Sequence, residues 1–194
     1  MDDNLKKIVL LLFVIAVFAV GYKGAQILRP EGFLVNTLLD NFVPFLDYFV
    51  VFYILYFPLL LLPVTLYWGN WDEYKWVLAS FLIAILISVG IYLTFQTEVV
   101  RPEISDTNIF TKLVLELYKN DRTVNALPSL HVSLSLLAVF FTYKKTRLLG
   151  ILSLPLGMLI MASTVFIKQH AVLDVIGGIL LASFVFWLFR KRVF

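Results

Sequence analysis

The chain contains two histidines, and each lies in a short polar motif at one end of an apolar segment. His131 closes a Pro-Ser-Leu-His motif at 128–131, and His170 is the centre of a Ser-x6-His-x3-Asp pattern at 163–174. An imidazole can attack phosphorus as a nucleophile, and it exchanges protons near neutral pH. A polar cluster inside an apolar chain is energetically costly. The two motifs therefore indicate the two halves of one phosphoryl-transfer site.

His170 and Asp174 are four residues apart, which places them on the same face of a helix, one turn from each other. The Asp174 carboxylate can accept a hydrogen bond from one imidazole nitrogen and leave the other free to attack. Ser163 lies about two turns earlier if the helix is continuous. The spacing predicts a nucleophile with an orienting carboxylate, although such a pair also occurs as an ordinary polar contact.

The Pro-Ser-Leu-His motif opens an apolar segment. Proline is favoured in the first turn of a helix, and free N–H groups at a helix start bind anions. Ser129 adds a hydroxyl donor, and His131 would give or take a proton near the anion. Arg101, followed by Pro102, offers a planar fork of donors that matches phosphate oxygens. Singly, these residues also fit an ordinary helix start and a surface arginine, but their order and common predicted face favour a phosphate site.

Composition places these motifs in a membrane protein. With 61% hydrophobic and 15% charged residues, the 194-residue chain carries more apolar surface than a soluble domain can bury. It predicts one all-α domain over residues 1–194, an integral membrane bundle of six transmembrane helices. The six segments are residues about 6–28, 45–68, 76–96, 131–144, 148–167 and 171–190. The first is interpreted as an uncleaved span rather than a signal peptide, because no convincing cleavage site follows it.

Charge fixes the expected topology. Six spans place the two termini and two short turns on one face, which carries nine of the 16 Lys and Arg residues but four of the 13 Asp and Glu residues. Basic turns stay in the cytoplasm, so both termini are expected there. The loops with Arg101, His131 and His170 then face the periplasm, the cell exterior or an organelle lumen, with a bacterial plasma membrane as the expected location. The basic residues lie at the ends of the apolar segments and form no patch of the kind that binds nucleic acid, so no nucleic-acid partner is expected.

The longest predicted loop, residues 97–130, lies on the outer face between spans 3 and 4. Apolar residues recur at helical spacing between Thr107 and Tyr118. This pattern predicts an interfacial helix over the site, with Thr107 as its N-cap. The alternative is a short helix that packs on the bundle without a catalytic role.

Together the motifs resemble those of the type 2 phosphatidic acid phosphatase (PAP2) superfamily of membrane lipid phosphatases and phosphotransferases. The family motifs are usually K-x6-R-P, P-S-G-H and S-R-x5-H-x3-D. Here they read T-x6-R-P at 94–102, P-S-L-H at 128–131 and S-T-x5-H-x3-D at 163–174. The resemblance covers the six-span layout and residues from about 90 to 180.

The resemblance implies a role for each matching residue. His170 would attack the phosphorus and become a phosphohistidine, Asp174 would orient His170, and His131 would protonate the leaving oxygen. The phosphate oxygens would be held by Arg101, Ser129 and Ser163. The implied reaction is independent of metal ions and cofactors, and the carboxylate-poor site offers no obvious magnesium cage.

Three positions depart from the family pattern. Thr94 replaces the lysine of the first motif, Leu130 the glycine of the second and Thr164 the arginine of the third. Two phosphate-binding cations are therefore missing, and we hypothesise that Lys168 and Arg122 supply them. The P-S-L-H and S-T variants resemble the branch related to inositolphosphorylceramide synthases, whose members can transfer a phospho-headgroup to an alcohol.

The leading interpretation is a membrane lipid phosphatase whose partner is a lipid phosphate within the surrounding membrane lipids. Candidate substrates are phosphatidic acid, phosphatidylglycerol phosphate and a polyprenyl pyrophosphate. An alternative is a phosphotransferase with an inositol, sugar or lipid alcohol as acceptor. A third interpretation, a non-catalytic lipid-binding or transport protein, requires that loss of the two cations abolished catalysis. The oligomeric state is left open.

Overall fold

The computed structural model describes residues 2–193, which form a helical bundle with one very short parallel strand pair. In chain order the elements are α1 (Asp3–Leu28), β1 (Phe33–Leu34), 3-10 turns at Leu38–Asn41 and Asp47–Phe49, α2 (Val50–Ile54), α3 (Tyr56–Leu66), α4 (Trp71–Thr94), β2 (Thr97–Glu98), α5 (Ile109–Asn120), α6 (Leu130–Lys145), α7 (Arg147–Phe166) and α8 (Val172–Phe189). The architecture is the all-α class that the sequence predicts.

Five helical stretches within the described residues are long and apolar enough to cross a membrane. They are Asp3–Leu28, Asp47–Leu66, Trp71–Thr94, Arg147–Phe166 and Val172–Phe189. The remaining predicted span corresponds to α6, which has 16 residues and falls just below the roughly 17–25 residues of a typical span. The sixth span therefore stays a prediction, whereas the other five segments agree with the expected ones to within a few residues.

Helix α6 occupies the centre of the bundle. It packs against α3, α4, α7 and α8, and most of its side chains are buried. A helix that other helices surround does not need a lipid-facing surface, which explains how it can carry Ser133, Ser135 and Thr142 at buried positions. The central helix thus begins at one end of the bundle with the Pro-Ser-Leu-His motif and ends at the other with Lys145.

The second predicted span is divided into two helices. Helix α2 ends at Ile54 and α3 begins at Tyr56, with Leu55 between them. Pro58 lies four residues after Ile54, so it supplies no N–H to the Ile54 carbonyl, and its ring crowds that group. The break therefore has a local cause, and it lies beside the functional end of α6.

The long loop between the third and fourth predicted spans contains α5, as the periodicity predicts. The predicted N-cap at Thr107 is wrong, because the helix begins one residue later and Asn108 caps it by accepting from the backbone N–H groups of Phe110 and Thr111. Both residue types are good caps, and the Asn108 side chain also donates to the Asp47 carboxylate. Val114 packs under the helix against α2, so α5 covers the bundle end, and its interfacial placement stays a prediction.

The connection between α6 and α7 requires glycine at position 150. Thr146 alone separates the two helices, so their axes converge at the turn. A Cβ atom at Gly150 would lie 2.1 Å from the Tyr143 Cα atom, far inside van der Waals contact. By contrast, a Cβ atom at Gly90 on α4 would meet nothing within 4 Å.

We predict that Gly150→Ala lowers the free energy of unfolding by about 1–3 kcal/mol, because the added methyl forces α7 away from α6. The matched change Gly90→Ala should leave stability unchanged or raise it by up to about 1 kcal/mol, because alanine favours a helix interior. Denaturant unfolding in detergent compares the two. Equal stability of both variants would contradict the packing described here.

Candidate active site

The starts of α6 and α8 meet at one end of the bundle. The Ser129 N–H donates to the Asp174 carbonyl oxygen at 3.1 Å, and the Ser129 hydroxyl caps α6 by accepting from the Val132 N–H at 3.3 Å. Two glycines permit this approach. A Cβ atom at Gly178 would lie 2.8 Å from the Ser129 carbonyl oxygen, and one at Gly177 would lie 2.6 Å from the Leu127 side chain. The glycine pair thus brings the two histidine motifs together.

A capping turn, rather than a continuous helix, pairs His170 with Asp174. Helix α7 ends before His170, and α8 begins after it. The Asp174 carboxylate oxygen Oδ2 accepts the Ala171 N–H at 2.8 Å and lies 3.3 Å from Nδ1 of His170. The expected pair is present. The helix from Ser163 is not continuous, so the two-turn spacing that a continuous helix would give does not apply. Lys168, with a φ of 54°, lies in the left-handed region and reverses the chain between the helices.

The backbone around His170 is held from two sides. The Thr164 carbonyl oxygen accepts the N–H groups of Gln169 and His170, both at 2.9 Å. On the other side, the Asp40 carboxylate accepts the Val172 N–H at 2.8 Å, which satisfies a second donor at the start of α8. His170 is 8% exposed and Asp174 is fully buried. The imidazole is therefore fixed in place, and its Nε2 is the nitrogen that does not face the carboxylate.

His131 lies between two tyrosines that flank the break between α2 and α3. The Tyr53 ring stacks on it with a centroid distance of 4.3 Å, and the Tyr56 ring lies at 4.5 Å. The Tyr53 hydroxyl is 3.4 Å from Nδ1 of His131. Aromatic contacts hold the ring plane, and the hydroxyl gives Nδ1 a partner, so Nε2 is the nitrogen without a contact to Tyr53.

The two histidine rings lie close together, with centroids 6.1 Å apart. They come from motifs about 40 residues apart in the sequence. At this separation both rings can reach one phosphate group, so one imidazole can attack while the other transfers a proton. The Asp174 oxygen Oδ1 has no hydrogen-bond partner among the described residues, although it is buried. The start of α8 and the His170 ring are the groups that face the buried Asp174 carboxylate and stabilise a negative charge there.

Arg101 reaches the same end of the bundle. Its guanidinium donates to the Asp121 carbonyl at 2.7 Å, to the Arg122 carbonyl at 3.0 Å and to the side-chain oxygen of Gln169. It also lies over the Tyr118 ring, 4.4 Å from its centroid. Gln169 directly precedes His170, so the structure brings Arg101 to the turn that holds the second histidine.

Lys168 and Arg122, the side chains proposed as substitute cations, donate hydrogen bonds to backbone carbonyl oxygens. The Lys168 ammonium donates to the carbonyl oxygens of Asp40, at 3.2 Å, and Val43, at 2.6 Å. Burial lowers its pKa, and the neighbouring Asp40 opposes this shift. Arg122 donates to the Gln26 carbonyl on α1 at 3.0 Å. Each would have to exchange these contacts to bind a phosphate, and their phosphate-binding role stays a prediction.

The two motif threonines and Ser163 bond to their own helices. The Ser163 hydroxyl donates to the Ile160 carbonyl at 2.6 Å, and the Thr164 hydroxyl donates to the Met161 carbonyl at 2.7 Å. Thr94, at the position of the family lysine, is exposed and donates to the Gly90 carbonyl at 2.8 Å. Ser163 and Thr164 are fully buried, and Thr164 contributes to the site through its carbonyl oxygen.

Some residues that shape the site escaped the sequence analysis. Tyr53 and Tyr56 contact His131 from the two sides of the break before Pro58, and Asp40 reaches α8 from a distant loop. Gln96 is fully buried, donates to the Asn125 side-chain oxygen at 2.7 Å and accepts the Asn125 N–H at 2.9 Å. Asn125 has a φ of 61°, a left-handed conformation that asparagine tolerates. The asparagine at this position was therefore the one local sequence signal for these contacts.

No group of three or more His, Asp and Glu side chains that could hold a metal ion is found within residues 2–193. The proposed independence of metal ions stays a prediction that chelation can test.

A family model described as the PAP2 superfamily matches residues 25–188 of the chain. The match covers well over half of the chain and includes every motif described above, so the chain belongs to the PAP2 superfamily. The more specific resemblance to the inositolphosphorylceramide synthase branch is not tested by this match. No curated protein and no solved structure matches the chain significantly.

We predict that Thr97→Val destabilises the protein by about 1–3 kcal/mol. Thr97 is fully buried, and its hydroxyl oxygen accepts the Leu127 N–H at 2.8 Å, just before the Pro-Ser-Leu-His turn. Valine keeps the shape but leaves that N–H without a partner. Thr94→Val is the control, because Thr94 is exposed, and its stability should change by less than about 0.5 kcal/mol. Thermal unfolding in detergent tests this, and similar losses for both variants would argue against it.

Proposed function

We propose that this PAP2 superfamily protein is a lipid phosphatase that hydrolyses a phosphomonoester or pyrophosphate of a membrane lipid through a phosphohistidine on His170. Family membership supports a phosphatase-type reaction on a lipid. The observation that carries the proposal is the pairing of His131 and His170 at a centroid distance of 6.1 Å, with Asp174 on one of them. Candidate substrates are phosphatidic acid, phosphatidylglycerol phosphate and a polyprenyl pyrophosphate.

In the first step, Nε2 of His170 attacks the phosphorus. The Asp174 carboxylate accepts a hydrogen bond from the Nδ1–H group, which leaves the lone pair on Nε2, and it stabilises the positive charge that develops on the ring. The bond between phosphorus and the lipid oxygen breaks, and His131 delivers a proton to that oxygen. The products are the lipid alcohol, or a lipid monophosphate from a pyrophosphate, and phospho-His170.

In the second step, His131 accepts a proton from water while the water oxygen attacks the phosphorus of phospho-His170, and the bond between phosphorus and Nε2 breaks. Inorganic phosphate leaves, and both histidines return to their starting states. Because the same imidazole acts first as an acid and then as a base, turnover should need it in both steps.

Charge neutralisation of the phosphate is assigned to Arg101, with Ser129 and the first turn of α6 as further donors. Arg101 binds the side chain of Gln169, which directly precedes His170. This contact supports the assignment of Arg101 to the phosphate. Ser163, Lys168 and Arg122 are proposed as additional phosphate contacts. A substitution of any of them that leaves kinetics unchanged would remove that residue from the proposal.

The proposal places the site on the outer face of a bacterial plasma membrane and the termini in the cytoplasm. Support comes from the two ends of α6. His131 lies at its start with His170 beside it, whereas at its other end Lys145 pairs with Glu73 and lies over the Tyr67 ring. The basic residues of the turns thus gather at the end away from the site, as the charge rule requires.

A second candidate is transfer of the phospho-headgroup to an alcohol. Leu130 and Thr164, which occupy the variant positions of the second and third motifs, favour it. An alcohol would replace water in the second step, so a product assay with inositol, a sugar or a lipid alcohol distinguishes transfer from hydrolysis.

We predict that detergent-purified protein releases phosphate from at least one candidate lipid in the presence of EDTA. His170→Ala should abolish this release, because no nucleophile remains, and His131→Ala should slow it by about 10²–10⁴-fold. Phosphate assay of the three proteins measures both effects, with thermal unfolding as a check that the variants fold. Release that requires an added divalent ion, or that survives in His170→Ala, would rule out the proposed chemistry.

Substitution of Tyr53 tests the role of His131 more selectively. We predict that Tyr53→Phe, which loses the hydroxyl facing Nδ1 of His131, lowers kcat about fivefold and shifts the pH–rate profile, since a net hydrogen bond contributes about 1 kcal/mol. Tyr56→Phe is the matched control, because Tyr56 also contacts His131 with its ring, which phenylalanine keeps. Equal pH profiles for both variants and the wild type would show that Tyr53 does not act through His131.

A further inference from the structure

An apolar groove of about 330 Å³ runs along the bundle between α1 and α3, and its floor is formed by α4 and α6. Every side chain that lines it is aliphatic or aromatic, from Leu11 to Phe18 on α1 and from Tyr56 to Val64 on α3. The span from Tyr56 to Val64 makes the groove about 12 Å long. A surface of this chemistry excludes polar ligands and accepts hydrocarbon.

The groove adjoins the active site at two points. Tyr56 lines the groove, and its ring lies 4.5 Å from the His131 ring, centroid to centroid. Leu134 also lines it and lies three residues after His131, on the same face of α6. One end of the groove is therefore one helical turn from the imidazole that is proposed to protonate the leaving oxygen.

Its dimensions fit a single chain rather than a helix. A helix of about 10–12 Å diameter would occupy roughly 1,000 Å³ over a length of about 12 Å, which is three times the space available. The groove is also open along its side, because the Phe57 and Leu61 side chains at its edge are exposed. A flexible hydrocarbon chain could enter sideways from the membrane without opening the bundle.

We propose that this groove binds one hydrocarbon chain of the lipid substrate while the phosphate lies between His131 and His170. The inference rests on the proposed function and adds the site that holds the lipid tail. The chain would extend from the site along α3, towards the end of the bundle that carries Lys145. Since no polar group lines the groove, it selects chain length and shape rather than functional groups on the chain.

Binding can be tested without turnover in the His170→Ala variant. The probe is phosphatidic acid with a photoactivatable diazirine at the end of one acyl chain, and the control probe is diacylglycerol with the same chain. We expect the phosphate-bearing probe to label peptides within residues 11–18 and 56–64, several-fold more than the control probe does. Equal labelling by both probes, or labelling spread over exposed residues of α7, would overturn the proposal.

Kinetics test the same site in active protein. Leu60→Trp fills the groove, and Leu152→Trp, on an exposed part of α7, is the matched control. Loss of contact with about two methylene groups should lower kcat/KM for a long-chain lipid phosphate about tenfold. A short-chain, soluble phosphate ester should be hydrolysed at the wild-type rate. Equal effects on both substrates, or none on the long-chain one, would contradict the proposal.

The two experiments separate failure of this proposal from failure of the proposed function. If the wild-type protein hydrolyses no phosphate ester, the proposed function fails, and the labelling pattern alone decides whether the groove holds a lipid tail. If hydrolysis depends on His170 but Leu60→Trp behaves like Leu152→Trp, the function stands and the groove assignment is wrong.

Discussion

The contact between the starts of α6 and α8 is the constraint on which the site depends. The Asp174 carbonyl accepts the Ser129 N–H, while its carboxylate accepts the Ala171 N–H and faces His170. One residue thus ties together the helix that carries His131, the turn that carries His170 and the orientation of the imidazole. This arrangement requires a helix surface without a side chain at Gly178, because a Cβ atom there would lie 2.8 Å from the Ser129 carbonyl.

Around this contact, the protein satisfies polar groups that would be costly in an apolar bundle. Gln96 donates to and accepts from Asn125, Thr97 accepts the Leu127 N–H, and the Tyr92 hydroxyl donates to the Pro128 carbonyl at 2.6 Å. These bonds hold the segment before His131 in a single path. Because an unpaired buried polar group costs about 1–3 kcal/mol, such a network also limits alternative conformations of the loop. Rigid placement is what phosphoryl transfer requires of its catalytic groups.

Much of the architecture could be predicted, because hydrophobic runs and motif spacing are local signals. Five apolar segments and the helix in the long loop were predicted near their observed positions, and the His–Asp pair followed from its spacing. The prediction failed where a single backbone angle or a partner distant in sequence determines the local structure. The left-handed Lys168 lies in the turn between α7 and α8, so His170 meets Asp174 across a capping turn instead of along one helical face. Tyr53, from α2, contacts His131, and the sequence near His131 gives no signal for this contact.

The central claim is that His170 carries the phosphoryl group between the two steps. The most direct measurement is rapid quenching of the protein during turnover of a phosphate-labelled lipid, followed by mass spectrometric location of the label. The account predicts a phosphoryl group on His170 in the wild type and none in His170→Ala. Phosphate release without any covalent label, or a label on another side chain, would contradict it.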